Sequence, residues 1–278
     1  MRIRIVDAFT DRPFAGNPAA VVVLESFTDD EWMQSVAAEV NLSETAFVHP
    51  LPPGGDADFA LRWFTPAVEV ALCGHATLAT AHVLARPGTV RFATRRSGVL
   101  TATAAGDGAY TLDFPAAPLS PLPPDPDLAA LLGAEIASLH HTGPITDDYL
   151  VELVSERAVR ELTPDLAGLA GFSHRGIVVT ASADTDHGGG YDFVSRFFGV
   201  GVGVPEDPVT GSAHTALTPF WASRTGRTEM TGYQASRRGG VVRVALKGDR
   251  TLLTGHAVTV IDGTLQAQPG GEDWISTS

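Results

Sequence analysis

The sequence predicts an α+β protein with two pseudo-symmetric domains, each a curved mixed sheet wrapped around a central apolar helix. The order of strands and helices repeats once along the 278 residues. In each half one helix is apolar on nearly every face, which is typical of a helix buried at the centre of a domain. Between the halves lies DFPAAPLSPLPPDPD, too rich in proline for a helix or a central strand, which indicates a stiff extended connector.

The first half begins with a strand, a surface helix and two more strands. Thr28 and Glu31 have the spacing of a capping box at the start of the helix, and Asn41 is a typical stop signal. The residues between Asp58 and Phe64 alternate apolar and polar, as a strand with one buried face does. The four predicted elements are strand 19–24, helix 28–41 and strands 45–50 and 58–64.

The central helix of the first half is predicted over residues 74–86, because GHATLATAHVLA has no internal glycine or proline and Pro87-Gly88 follows. The second half repeats the same order of elements. Its predicted elements are strand 149–155, helix 156–171, strands 176–181 and 192–198, and a central helix over 211–224.

The repeat extends to individual residues. Asp58-Phe59-x-x-Arg62-x-Phe64 aligns with Asp192-Phe193-x-x-Arg196-x-Phe198, and Cys73-Gly74-His75-Ala76 aligns with Thr210-Gly211-Ser212-Ala213. Several matches in the same order indicate a duplication. We therefore expect an N-terminal half over residues 1–115 and a C-terminal half over residues 116–278, whose last strand could return to the first half.

Composition excludes several classes of partner. The formal net charge of −13 disfavours nucleic acid and anionic membrane surfaces, since both would repel the protein. No window approaches the roughly 20 apolar residues of a membrane span, and MRIRIVDAFTDRPF lacks the features of a signal peptide. We therefore expect a cytoplasmic protein with a small-molecule partner. High Ala, Gly and Arg content suggests a GC-rich genome and favours a role in secondary metabolism.

Both central helices begin with glycine, at Gly74 and Gly211. A glycine there lets a ligand approach the free N–H groups of the first helical turn, which together with the helix dipole form an anion site. If the duplication brings both helix starts together, they would hold one carboxylate or enolate from two sides in the cleft between the halves. Alternatively, the glycines only ease helix packing.

Glu44, His75 and Asp207 are the candidate acid–base groups, and Ser212 is a candidate hydroxyl donor. Glu44 precedes the apolar run AFV, and a buried unpaired carboxylate is costly unless the site uses its proton. The alternatives are a solvated rim charge for Glu44, a structural hydrogen bond for His75 and a helix cap for Asp207.

Other chemistries have weaker support. The single cysteine, Cys73, aligns with Thr210, which excludes a two-cysteine racemase mechanism and favours a buried inert thiol. The histidine pairs lack metal-site spacing and no HExxH motif is present, so we expect no metal. TGSAHT is not a nucleophile elbow, and no helix suited to a dinucleotide follows GVGVGVP, so we expect no cofactor.

Five segments together resemble the PhzF-like (phenazine biosynthesis-like) isomerase family, which shares the pseudo-symmetric diaminopimelate epimerase fold. The resemblance runs from residue 5 to about residue 263. The segments are VDAFTDRPFAGNPAAVVVL, NLSETAFV, LRWFTPAVEVALCGHATLATAHVL, EDPVTGSAHTAL and SRRGGVVRV.

The resemblance implies a cofactor-free and metal-free isomerase or epimerase, often a homodimer, that acts on small carboxylate-bearing molecules. Glu44 of SETAF would be the general base and acid. His75, Asp207 and Ser212 would bind and polarise the substrate or relay protons. The backbone amides of Gly74 and Gly211 would bind its carboxylate, with Asn17 of AGNP nearby.

One position departs from the family pattern. Members that carry CGHAT commonly have Asp two residues before the cysteine, whereas this chain has Ala71. The change bears on substrate identity more than on chemistry, because the acid–base candidates remain. Three hypotheses follow besides isomerisation: epimerisation at a single carbon, a non-catalytic carboxylate-binding protein, and a hydrolase that uses Ser212 with His214 or His75.

Overall fold

The computed structural model describes residues 1–144, 146–172, 175–184 and 190–269, and it confirms the α+β architecture. Six α-helices and eighteen strands are present in these ranges. The helices are α1 (Asp30–Val40), α2 (Gly74–Leu84), α3 (Pro126–Leu132), α4 (Glu156–Arg160), α5 (Leu166–Ala170) and α6 (Gly211–Thr225). The strands of the first half are β1 (Arg2–Ala8), β2 (Asn17–Val23), β3 (Glu44–Pro50), β4 (Phe59–Phe64), β5 (Glu69–Val70), β6 (Thr89–Thr94), β7 (Val99–Ala104) and β8 (Tyr110–Pro115). The remaining strands are β9 (Ser120–Leu122), β10 (Ile136–His141), β11 (Asp148–Leu153), β12 (Gly176–Ser182), β13 (Phe193–Gly199), β14 (Val204–Asp207), β15 (Glu229–Gln234), β16 (Gly240–Lys247), β17 (Arg250–Gly255) and β18 (Ala257–Thr264).

The strand pairings repeat between the two halves. In the first half β2 runs parallel to β3, β3 antiparallel to β4, and β4 parallel to β6. In the second half β11, β12, β13 and β15 pair in the same sequence of directions. Among the described residues two pairings join the halves, since β17 pairs with β8 and β18 pairs with β1. Residues 270–278 of the C-terminal half lie outside the described residues.

The aligned arginines of the repeat make equivalent contacts. Arg62 Nε lies 2.8 Å from Glu69 Oε1, and the guanidinium stands over the Phe64 ring at 5.1 Å. In the second half, Arg196 Nε lies 2.7 Å from a glutamate oxygen of Glu206, and its guanidinium stands 4.9 Å from the Phe198 ring. The repeated sequence therefore builds the same ion pair and cation–π contact twice.

The two central helices lie in one hydrophobic core. Residues 75–81 of α2 are all buried, and α6 is buried along most of its length. Helix α2 ends at Leu84, two residues before the predicted end, because Ala85 takes a left-handed conformation with φ 48°. None of the helices in the described ranges is long and apolar enough to span a membrane.

Two predicted features of the surface helices are wrong. The cap of α1 is Asp29, whose side chain accepts from Trp32 N at 2.6 Å, so Thr28 and Glu31 do not form a capping box. The single helix predicted over 156–171 is two short helices, α4 and α5. The break falls at Pro164, which lacks an N–H donor and disfavours helical backbone in the residue before it. The predicted stop at Asn41 is confirmed, since it is a left-handed cap with φ 52°.

The connector between the halves is extended at its start, where residues 113–115 end β8, and again in its middle part, but its last residues are helical. Its residues 120–122 form β9, a short strand whose partner is β10. Its last residues begin α3, in which Pro126 takes the first turn and Asp125 accepts from two backbone amides. Proline fits both places, because a short strand of this kind and a first helical turn do not need the missing N–H.

Candidate active site

The first residues of the two central helices touch each other. A Cβ atom added to Gly74 would lie 3.3 Å from Gly211 Cα, and one added to Gly211 would lie 3.3 Å from Gly74 Cα. The glycines therefore do permit close helix packing, as the structural alternative supposed. That same packing brings the N-terminal ends of α2 and α6 together, with the dipoles of both helices directed at one place.

The two central helices also differ from the others at their N-terminal ends. Helices α1, α3, α4 and α5 each have a side chain that caps a backbone N–H. Cys73 and Thr210, the cap residues of α2 and α6, make no such bond. Thr77 N and His214 N are the first amides with a helical carbonyl partner, at 3.2 and 3.4 Å. Of the amides before them, Ala76 N lies beside the Cys73 thiol, and the others have no side-chain cap among the described residues, so a ligand can approach them.

Glu44, the first residue of β3, lies beside the start of α2. Its side chain is 19% exposed, and its Oε2 atom lies 3.2 Å from Nε2 of His75, whose side chain is 5% exposed. The pair is not aligned as a hydrogen bond, and neither atom has another partner among the described residues although both are buried. Two adjacent buried polar atoms without partners indicate a place where a ligand would bind.

His75 is held as a neutral hydrogen-bond donor. Asn17 donates from Nδ2 to Val209 O at 2.9 Å and to Asp207 Oδ1 at 2.8 Å, which fixes the amide orientation. The same nitrogen lies 3.2 Å from His75 Nδ1, and Cys73 Sγ lies 3.5 Å from it. Because an amide nitrogen cannot accept a hydrogen bond, we assign Nδ1 as the acceptor and place the ring proton on Nε2. Burial lowers the pKa of His75 to about 3, so the ring stays neutral.

Asp207 ends β14 and does not cap α6. Its Oδ2 accepts from the Thr210 hydroxyl and its Oδ1 from Asn17, so neither oxygen binds a backbone amide of the helix. Gln234 supports this corner, since its Nε2 donates to the Asp207 carbonyl at 2.8 Å and its Oε1 accepts from Thr210 N at 2.9 Å. Burial raises the pKa of Asp207 to about 6, against the two hydrogen bonds that lower it.

Glu44 has the most strongly raised carboxyl pKa of the site. Burial, and next the negative charge of Asp207, raise the pKa of Glu44 to about 8, while a hydrogen bond with Cys73 lowers it. Burial disfavours the ionised form of Glu44 because the site is poorly solvated, and the negative charge of Asp207 repels the ionised carboxylate. At neutral pH the two carboxyl groups therefore differ in charge, with the proton on Glu44 and Asp207 mainly ionised.

Ser212, the second residue of α6, accepts a hydrogen bond from Arg175, a residue that the sequence did not indicate as part of the site. Arg175 donates from Nη2 to Ser212 Oγ at 3.1 Å, and from Nε to Asp148 Oδ1 at 2.8 Å. No imidazole binds the Ser212 hydroxyl in the part of the chain that the structure describes. The sequence held no local sign of this contact, because Arg175, Asp148 and Ser212 are far apart in the chain and meet only through strand pairing.

Glu44, Cys73 and His75 are close enough to be considered as metal ligands, since their ligand atoms lie within 4.8 Å of one another. Their protonation does not suit this role. Burial and the negative charge of Glu44 raise the pKa of the Cys73 thiol well above its ordinary value, and Glu44 holds its proton at neutral pH. His75 Nδ1 already faces the amide of Asn17, and Cys73 Sγ lies 3.5 Å from it. A bound metal would have to displace the protons of both the thiol and the carboxyl, which disfavours binding at neutral pH.

Comparison with known proteins identifies the family. The model of the phenazine biosynthesis-like protein family matches residues 6–263. The chain belongs to this family. An uncharacterized isomerase of Pseudomonas aeruginosa is 49% identical over 267 residues, which cover 94% of this chain and 96% of that relative. The resemblance found in the sequence is thereby confirmed.

Solved structures of the phenazine biosynthesis-like family and of more distant proteins share the fold. A PhzF family protein from Enterococcus faecalis has a TM-score of 0.86 at 40% identity, covering 94% of this chain and 97% of that one. A hydroxyproline epimerase from Agrobacterium vitis has a TM-score of 0.60 at 13% identity, covering 95% and 91%, and shows the fold alone. The epimerase-type fold is confirmed, and relatives of the chain in Pseudomonas aeruginosa and Halalkalibacterium halodurans are named as uncharacterized isomerases.

Proposed function

We propose that the protein is a cofactor-independent isomerase that moves a proton between carbons of a small unsaturated carboxylate or amino acid. Glu44 is the acid and base of this reaction. The observation that carries the proposal is the position of Glu44 Oε2, buried and 3.2 Å from His75 Nε2, beside the abutting N-terminal ends of α2 and α6.

The substrate carboxylate would bind the free amides of the two first turns, which leaves a neighbouring C–H bond to face Glu44. The ionised form of Glu44 takes this proton, and the electron pair of the C–H bond spreads into the adjacent unsaturated or carboxylate group. The uncapped amides and the Nε2–H of His75 stabilise the charge that develops on oxygen. The protonated Glu44 then returns the proton to a different carbon, which shifts the double bond.

The pKa of Glu44 suits both directions of transfer. With the pKa raised to about 8, roughly one molecule in ten has the base form at neutral pH, and the acid form that results can give the proton back. A surface glutamate would be almost fully ionised and a weak base. The buried position therefore supports a proton shuttle over a solvated rim charge.

The other hypotheses lack comparable support. Epimerisation needs a second acid or base on the opposite face, and there Asp207 would have to serve while tied to Thr210 and Asn17. A serine hydrolase needs a base on Ser212, whose hydroxyl instead receives a hydrogen bond from Arg175. A non-catalytic binding protein would use the same amides, but it would have no need of a carboxyl with a raised pKa.

Proton exchange measured by NMR tests the proposal. The wild-type protein in D₂O is offered a panel of unsaturated amino acids and cyclic dienoic acids, and deuterium incorporation into each is followed. We expect incorporation at two carbons of an active compound, and its loss in Glu44→Gln while binding of that compound persists. Exchange that survives in Glu44→Gln would refute the assignment, and inversion at a single carbon would favour the epimerase.

A further inference from the structure

The two halves of the cleft are unequal where Glu44 stands. Strand register gives the correspondence, since Thr45 pairs with Phe64 in the first half and Ile177 pairs with Phe198 in the second. The residues that precede Thr45 and Ile177 are therefore equivalent, so Glu44 of the first half corresponds to Gly176 of the second half.

A side chain has no room at the position that corresponds to Glu44. A Cβ atom on Gly176 would lie 2.5 Å from Phe197 Cζ, so the Phe197 ring fills the space that a carboxyl occupies in the other half. The residue before Gly176 is Arg175, which corresponds to Ser43. Where the first half presents an acid to the cleft, the second half presents a cation.

Arg175 is held in a fixed orientation. Nε and Nη2 both donate to the carboxylate of Asp148, whose side chain is 1% exposed, while the side chain of Arg175 is 29% exposed. Its guanidinium stands 5.1 Å from the centre of the Phe197 ring. A guanidinium held by a buried carboxylate on one side and an aromatic ring on its face loses little entropy when it binds an anion with its remaining donors.

One of the remaining donors is directed towards α6. Nη2 reaches Ser212 Oγ at 3.1 Å, within the first turn whose amides are free. Within the described ranges Nη1 donates to no other residue, so part of the guanidinium fork is available. Arg175 also acts on Asp207, because its charge lowers the pKa of that carboxyl. The cation therefore lies on the cleft side of the second half.

We propose that Arg175 binds the carboxylate of the substrate on the second-half side of the cleft, together with the first-turn amides of α6, and so turns the reacting carbon towards Glu44. This inference rests on the proposed function, since it gives an orientation to the same substrate. It restricts the substrate to small anions whose carboxylate can reach Arg175 and the first turn of α6 while a C–H bond near that carboxylate faces Glu44.

The competing explanation is that Arg175 serves only as the counter-ion of buried Asp148. Removing Arg175 alone would leave that carboxylate unpaired and could prevent folding. The double variant Arg175→Met/Asp148→Asn removes both charges and avoids this problem. Asp148→Asn alone keeps the cation, and Arg175→Lys keeps a charge without the fork. The matched control is Arg250→Met, because Arg250 pairs with Asp113 at 2.8 Å between β17 and β8 and has no contact with α6 or Asp207 among the described residues.

Binding of benzoate and of its uncharged isostere benzamide measures carboxylate recognition without a known substrate. Dissociation constants are determined by NMR titration for every variant, after circular dichroism and thermal unfolding have shown that it is folded. We expect the wild-type protein, Asp148→Asn and Arg250→Met to prefer benzoate. The double variant should lose about tenfold or more of this preference, the usual scale for a charge-assisted hydrogen bond, and Arg175→Lys should recover part of it.

Two outcomes would overturn the inference. The first is a double variant that prefers benzoate over benzamide as strongly as the wild-type protein does, which would mean that the helix amides alone bind the carboxylate. The second is a wild-type protein that does not prefer benzoate. Glu44→Gln separates this result from the proposed reaction. If Glu44→Gln keeps proton exchange while the double variant loses the preference, the reaction is wrong and the anion site remains.

Discussion

Replacing Glu44 with glutamine should make the protein more stable at alkaline pH. The pKa of Glu44 is raised from its ordinary value of 4.5 to about 8 in the folded protein. The folded state therefore binds this proton more tightly than the unfolded state does. The stability that the proton contributes is fully present below the unfolded pKa and is lost as the pH rises through the folded pKa. Glutamine has no proton to lose, so the variant escapes this loss.

The size of the effect follows from the span between the two pKa values. Each pH unit within that span changes the free energy of unfolding by about 1.4 kcal/mol. From about pH 5.5 to about pH 8 the wild-type protein should therefore lose up to about 3 kcal/mol relative to Glu44→Gln. Asp207 and Asp148, whose pKa values are also raised, titrate in both proteins and largely cancel from the difference.

Urea unfolding at a series of pH values, followed by circular dichroism, measures this difference. The expected result is a free-energy gap between Glu44→Gln and wild type that widens steadily across the interval and levels off above about pH 8. Parallel curves would mean that Glu44 titrates normally in the folded protein. In that case the argument for a buried proton shuttle fails, whatever the exchange experiment gives.

Three further predictions concern activity and packing. With a pKa of about 8 on Glu44, the rate of proton exchange at low substrate concentration should rise about fivefold from about pH 7 to about pH 8 and then level off, and a rate that falls over this interval would contradict the base role. Asp207→Asn removes a negative charge that raises the pKa of Glu44, so the midpoint of that profile should move to lower pH; an unchanged midpoint would show that the two groups do not interact. Gly74→Ala places a Cβ atom 3.3 Å from Gly211 Cα, which should cost about 1–2 kcal/mol in unfolding experiments and weaken benzoate binding. The control Gly263→Ala, where the added atom meets nothing within 4 Å, should do neither, and equal losses in both variants would rule out a specific contact between the helices.

The prediction of the elements succeeded where the pattern was local. Asn41 and the central helix starts at Gly74 and Gly211 were found from the sequence, because stop signals and apolar runs lie within a few residues. The break at Pro164 was not predicted, although proline lacks the N–H donor that a continuous helix needs. The apolar pattern on both sides of Pro164 was given more weight than the missing donor. Asp29 was missed as a cap because Thr28 and Glu31 also had capping spacing.

The structure brings most of the candidate site residues together. Glu44, His75, Asn17 and Asp207 form one connected group, and Gly74 meets Gly211 beside them. Their roles remain predictions until the exchange and binding experiments are done. The sequence named them through short motifs, but it could not give their distances, charge states or tautomers.

By itself the sequence determined the duplication, the two buried helices and the family, because repeated motifs and apolar periodicity are properties of the chain order. Only the tertiary structure decided which groups share the cleft and which of them hold a proton. A pKa depends on burial and on charges that approach through space, and Arg175 reaches Ser212 across 37 positions of the chain. The asymmetry between Glu44 and Arg175 was also decided only by the tertiary structure, since it arises where two similar halves face each other with different side chains.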